Sequence, residues 1–202
     1  MKTLKGLFSI LTLAAFSLTL MALSADKDWT LRKNEDGIKV YTRPVAGSDL
    51  DEFKGTCTIN AKPVELANLL KKVEAYPDWL PNCIEAKLIK REGNTQIHYS
   101  QTEAPFPVSN RDSYYRYTYT EKGSDIRVKM EALPDYGPKR EDVVRMEMVE
   151  GYWYFKATAD GKTQVTYQVH ADPGGSIPSW LTNSAVVDNP YNTLSILIDH
   201  FK

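Results

Sequence analysis

Between Ile84 and Ala171 the chain is an almost unbroken succession of alternating segments, and this constrains the fold more than any other feature. Ile84–Lys90, Thr95–Thr102, Arg111–Thr120, Ile126–Leu133, Val143–Phe155 and Thr163–Ala171 read as strands. Turn signals separate them: Glu92-Gly93-Asn94, the Pro105 loop, Lys122-Gly123-Ser124, Pro134 to Pro138, and Ala159-Asp160-Gly161. The reading is therefore antiparallel. Ile126, Val128, Met130 and Ala132 make an apolar face opposite Arg127, Lys129 and Glu131. Val144, Met146 and Met148 repeat the pattern, which resumes out of register at Trp153 and Phe155. That offset predicts a bulge near Glu150-Gly151.

The flanks add two helices and a hairpin. Asp26–Lys33 reads as a polar connection anchored by Trp29, and Asn34 to Gly37 as a turn. Ile38–Thr42 and Glu52–Asn60 form a hairpin across Gly47-Ser48-Asp49. After Pro63 the period changes. Leu66, Leu69, Leu70 and Val73 fall on one face of a helix, which the run Tyr76 to Pro81 ends and packs against the sheet edge. Asp172 to Ser176 breaks the sheet, and Pro178 opens a C-terminal helix with Ser176 as its cap. Its stripe is Leu181, Ala185, Leu194, Leu197, Ile198 and Phe201, and the interior Pro190 is placed to kink it. The expected fold is α+β: a curved antiparallel sheet of about eight or nine strands around that helix, with the shorter helix inserted after the second strand. Such a sheet with a helix across its mouth tends to enclose a cavity.

The N-terminus reads as a signal peptide over residues 1–25, leaving one domain over 26–202. Lys2 and Lys5 precede an apolar run from Leu7 to Leu23, and Ala22 to Ala25 offers small residues for cleavage. An uncleaved anchor is the alternative, since the run is near bilayer-spanning length. Without the leader the chain carries 23 basic and 26 acidic side chains, a net charge of −3. The basic residues are scattered, which argues against nucleic acid as a partner. Cys57 and Cys83 would meet an oxidising compartment and pair there, or remain buried thiols; the sequence leaves both open.

Most catalytic and cofactor chemistry finds no support. His98, His170 and His200 lie far apart on different elements, so no zinc constellation appears, and no Gly-rich loop joins a strand to a helix. No nucleophile sits in a G-x-S-x-G elbow. The segment with most chemical promise is Pro105 to Asp112 with the tyrosine-rich strand behind it. There Tyr115, Tyr117 and Tyr119 share one face. Arg111 and Asp112 at the strand entrance are read as structural residues bonded to neighbouring turns, and the tyrosines as core or as one wall of a pocket.

These residues, taken in order, resemble the START (StAR-related lipid-transfer) domain. The matching segments are Asp36 to Tyr41, Tyr76 to Pro81, Pro107 to Asp112, Gly151-Tyr152-Trp153, and Asp172 to Asn183. The resemblance spans about Trp29 to Lys202. It implies a helix-grip fold holding one lipid, sterol or other hydrophobic molecule, with the C-terminal helix and a neighbouring loop as lid. Positions matching the family put Ser113, Tyr115 and Tyr117 on the cavity face, with Leu181, Ser184 and Val187 from the helix above. Met130, Met148 and Trp153 complete the expected lining. One departure matters. Where sterol-binding relatives carry a buried arginine, this chain has Tyr117, which donates a hydrogen bond but neutralises no charge.

The resulting expectation is a non-enzymatic, monomeric carrier of a hydrophobic molecule, exported to the periplasm, in transient contact with membranes and needing no cofactor or metal. The alternative is a helix-grip enzyme of cyclase or hydrolase type using the same cavity, since fold alone does not fix function. A solidly packed interaction module is a third reading. For export, N-terminal sequencing of the periplasmic protein should start near Ala25 or Asp26; recovery of Met1 from membranes would identify an anchor instead.

Overall fold

The computed structural model describes residues 29–202 except Ser176 and Pro178; for Ser179, Trp180, Leu181 and Asn183 it places the backbone alone. The expected signal peptide, and the helix cap and starter at Ser176 and Pro178, lie outside the described residues. Among the described residues ten strands form one antiparallel sheet with a single parallel pairing. They are β1 Thr30–Glu35, β2 Ile38–Arg43, β3 Glu52–Ile59, β4 Cys83–Glu92, β5 Thr95–Thr102, β6 Asn110–Lys122, β7 Asp125–Ala132, β8 Val143–Arg145, β9 Met148–Ala157 and β10 Thr163–Asp172. The spatial order is β1-β2-β3-β10-β9-β7-β6-β5-β4, with β8 parallel to the start of β6.

Two helical segments lie between β3 and β4: α1 Pro63–Lys71 and, after a 3₁₀ turn at Val73–Ala75, α2 Tyr76–Trp79. Pro63 stands at the first helical position, where its missing N–H costs nothing, and the Glu65 carboxylate accepts the Lys62 N–H at 2.8 Å. Leu66, Ala67, Leu69 and Leu70 are buried, so the apolar stripe faces the sheet. The C-terminal helix α3, Ser179–His200, runs unbroken through Pro190.

Three expectations are corrected. The connection before the first expected strand is itself β1, so the helix follows the third strand. Its residues are mostly polar and exposed, so no apolar face alternates along it to mark it as a strand. It turns into β2 through Asp36 and Gly37, both at positive φ (52° and 76°), the requirement of a type I′ hairpin. The segment Val143–Phe155 is two strands, not one, and there is no bulge at Glu150-Gly151. β9 pairs without a slip with both β7 and β10 through those residues. The change of face occurs at Met146-Glu147, where the chain leaves β6 and joins β10: the Met146 N–H donates to Asp112 O and that of Glu147 to Asp172 O.

The core fills the concave side. Ile38, Val40, Ile59, Val128, Phe155, Val165, Leu194 and Leu197 are almost wholly buried, each such side chain contributing roughly 1.5–3 kcal/mol. Glycines set two close approaches. A Cβ at Gly55 would lie 2.7 Å from Leu194 Cδ1 and 3.4 Å from Pro190 Cβ, so this glycine lets α3 settle onto β3. At Gly151 a Cβ would meet backbone, 2.2 Å from the Gln168 carbonyl oxygen and 2.9 Å from Val169 Cα. A ladder atom cannot rotate away. Gly151→Ala should therefore cost at least about 1–3 kcal/mol, read as a lowered denaturation midpoint; an unchanged midpoint would show that β10 yields freely.

Candidate functional site

Strand alternation assembles one continuous inward surface. Register sets Gln96 opposite Tyr117, His98 opposite Tyr115, and Ser100 opposite Ser113. On the other side of β6, Tyr115 faces Ala132 and Tyr117 faces Met130, and Met130 in turn faces Gly151 of β9. Trp153 then stacks on Tyr167, with ring centroids 3.9 Å apart and planes 9° apart. Ser113, Tyr117, Met130 and Trp153 are buried on this surface, and Tyr115 is half-buried beside them.

The surface has two unlike ends. Beneath α1 and the C-terminal half of α3 the inward residues are sealed. Toward the start of β6 and the end of β10, Tyr115, Ala132, Tyr167 and Ala171 keep partial exposure although they face inward. The same holds for Val187 on α3 above them. Between the N-terminal half of α3 and the Pro105 loop runs an open groove of about 740 Å³, lined by Pro105, Phe106, Arg111, Thr182, Ser184 and Asn189 among others. Phe106 is 96% exposed at its lip.

An aromatic cluster backs the open end. His98 stacks on Tyr115 at 5.4 Å and meets Tyr117 and Tyr76 edge-on at 4.6 and 5.4 Å; Tyr76 packs in turn against Trp79. His98 is 1% exposed and its Nδ1 has no hydrogen-bond partner among the described residues. Burial pushes its pKa down to about 3, so the imidazole is neutral at physiological pH. Burial likewise raises the Tyr115 phenol to about 12. The Tyr115 hydroxyl donates to the Met146 thioether sulfur at 3.4 Å, a weak acceptor.

Arg111 and Asp112 are neighbours in sequence but point to opposite faces and do not pair. Arg111 is buried at the inner rim and donates only to carbonyls: Nε to Pro173 (3.3 Å), Nη2 to Gly174 (3.0 Å), and Nη1 to Ser109. It thereby ties the loop before α3 to the loop before β6. Asp112 accepts two bonds from Arg145, from Nε at 2.7 Å and Nη2 at 3.1 Å, in a fully buried fork on the outer face. Arg145 also donates to the Pro134 and Pro138 carbonyls, each at 3.0 Å, fixing the β7–β8 loop.

Of the expected lining residues, Ser113, Tyr115, Tyr117, Met130 and Trp153 come together on one surface. Met148 does not: it lies at the position in β9 that alternates with Val149, and Val149 takes the inward place. Its face was misassigned because the strand break at Met146 resets the alternation. Ser184 faces the outer groove and donates to the Asp188 carboxylate at 2.5 Å, and the side chain of Leu181 lies outside the described residues. Gln96, His98, Ser100 and Tyr167 were missed. The signal was present in the alternation of Gln96, His98 and Ser100, but a lone histidine carries no spacing that marks it. Cys57 and Cys83 are separate buried thiols, raised to about 12 and about 11 by burial and so unreactive. Among the described residues no group of three or more His, Cys, Asp or Glu is arranged to hold a metal, and no helix is long and apolar enough to cross a membrane.

A curved antiparallel sheet whose apolar and aromatic inner face is gripped by a C-terminal helix defines the helix-grip class of proteins. The START domain family profile matches residues 12–198, and the chain belongs to that family. The solved structure of a STAR-related lipid transfer protein from Xanthomonas axonopodis is 44% identical, with TM-score 0.81 over 86% of this chain and 98% of that one. An uncharacterized protein of Pseudomonas aeruginosa is 39% identical over 193 residues, 95% of each chain. Human phosphatidylcholine transfer protein is 27% identical over 177 residues, 84% of this chain and 82% of its own length.

The Asp112–Arg145 fork generates a stability prediction. Asp112→Ala leaves a buried guanidinium uncompensated and should cost roughly 3–5 kcal/mol, measured by urea denaturation. Adding Arg145→Leu should recover part of that loss; a double variant as unstable as the sum of the two singles would show that the residues act independently.

Proposed function

We propose that the protein binds a lipid or other hydrophobic small molecule between the open end of the sheet and the N-terminal half of α3, and carries it without transforming it. The observation that supports this is the contrast along the inward surface: sealed under one half of the helix, partly accessible under the other. Ser113, Tyr115, Tyr117, Met130 and Trp153 form the floor in this reading, and Val187 the roof. Burial of a ligand's apolar surface contributes roughly 25 cal/mol per Å², enough to retain a lipid without an ionic contact. Relatives named for lipid transfer favour a carrier over an enzyme.

Uptake and release then require the N-terminal half of α3 to move. Asp188 and Asn189 are poor helix formers, and Pro190 removes a backbone donor where the helix passes onto β3. The carrier works as a monomer in the periplasm, reached through the N-terminal leader, and touches membranes transiently. Native mass spectrometry of protein purified from its own periplasm should show a co-purified lipid. Amide exchange in residues 179–187 should be faster than in β7 and slow when that lipid is restored. Protein that emerges empty, takes up no fatty-acyl probe and exchanges uniformly slowly would overturn the reading.

A further inference from the structure

We propose that the molecule carried presents an uncharged, hydrogen-bonding polar end to the interior, and that Tyr115 is the residue that reads it. The inference rests on the lipid-binding reading above and narrows it to a chemical class: lipids ending in a hydroxyl or ester carbonyl rather than a phosphate.

The polar side chains of the inward face at this end are Tyr115, which keeps partial exposure, and Ser100, Ser113 and His98, which are buried beside it. Each carries a hydrogen-bonding group and none is charged, the histidine being held neutral by burial. Arg111 is the one cation at the inner rim among the described residues, and its Nε and both terminal nitrogens are already engaged by backbone carbonyls. Arg145 is committed to Asp112 on the other face. The lid segment from Pro173 to Val187 contains no ionisable side chain at all. An anion brought onto the floor beside Tyr115 would lose its hydration and meet no counter-charge nearer than Arg111 at the rim, whose nitrogens already donate to carbonyls, which is costly in an apolar enclosure.

A neutral polar end meets the opposite situation. The Tyr115 hydroxyl donates to the Met146 sulfur at 3.4 Å, a weak acceptor, with the Ser113 and Ser100 hydroxyls beside it, and the residue keeps partial exposure. A ligand oxygen arriving there replaces a sulfur contact with a normal hydrogen bond, whereas an alkane gains nothing from it. Tyr115 thus separates lipids by their polar end, while Met130 and Trp153 treat all chains alike.

The test offers three probes bearing the same fluorescently labelled hydrocarbon chain from phosphatidylcholine vesicles: a diacylglycerol, the corresponding phosphatidate, and a chain-matched alkane. Binding of the diacylglycerol should exceed that of the phosphatidate at least tenfold. Tyr115→Phe should weaken the diacylglycerol several-fold and leave the alkane unchanged. If this variant does not fold, Met146→Leu serves instead. By removing the competing sulfur it should raise the diacylglycerol preference, and no change would overturn the role of Tyr115. Phosphatidate bound as well as diacylglycerol, with that binding lost in Arg111→Gln, would overturn the uncharged-end inference while hydrophobic binding stands. Failure of all three probes would sink the lipid-binding reading itself.

Discussion

The seating of α3 on β2 and β3 is the contact on which the remaining architecture depends. Gly55 removes the side chain that would hold the helix off the sheet, so Pro190 and Leu194 descend onto the strand and become fully buried. This anchors the C-terminal half of the helix by close packing, which tolerates little adjustment. The N-terminal half must then project over the rest of the curved sheet, where inward side chains are less completely covered. One glycine thereby divides the domain into a sealed end and an accessible one.

Charge is sorted to match. The buried ionic fork of Asp112 and Arg145 lies on the outer face, where it joins β6 to β8 and holds the β7–β8 loop through carbonyls. Arg111, one residue earlier, turns to the inner rim and is held there by backbone carbonyls. Strand alternation makes this separation automatic: adjacent residues cannot share a face. The interior is left with phenols, hydroxyls and one neutral imidazole, a surface that solvates uncharged polar groups and penalises ions. The same arrangement gives Arg111 a mechanical role, since it links the two loops that flank the N-terminal end of α3.

The sheet was legible because its strands bury one face and turn through glycine, and both leave marks at fixed spacing. Where one of those conditions fails, so does the reading. β1 is a polar edge strand and shows no alternation. β8 is three residues long, and its junction with β9 shifts the inward face by one residue, carrying the expected lining from Val149 to Met148. His98 and Tyr167 were legible as inward positions, but nothing local distinguishes a residue inside a filled core from one beside a ligand.

The sequence by itself determined the order and type of elements, the family, and the placement of tyrosines along one face of β6, because periodicity and turn chemistry are local properties. Only the tertiary structure decided which arginine Asp112 pairs with, that Cys57 and Cys83 stay apart, and which end of the inner surface remains accessible. Each of these depends on residues distant in the chain being brought together by strand order and helix seating, and alternation along a single strand carries no record of its neighbours.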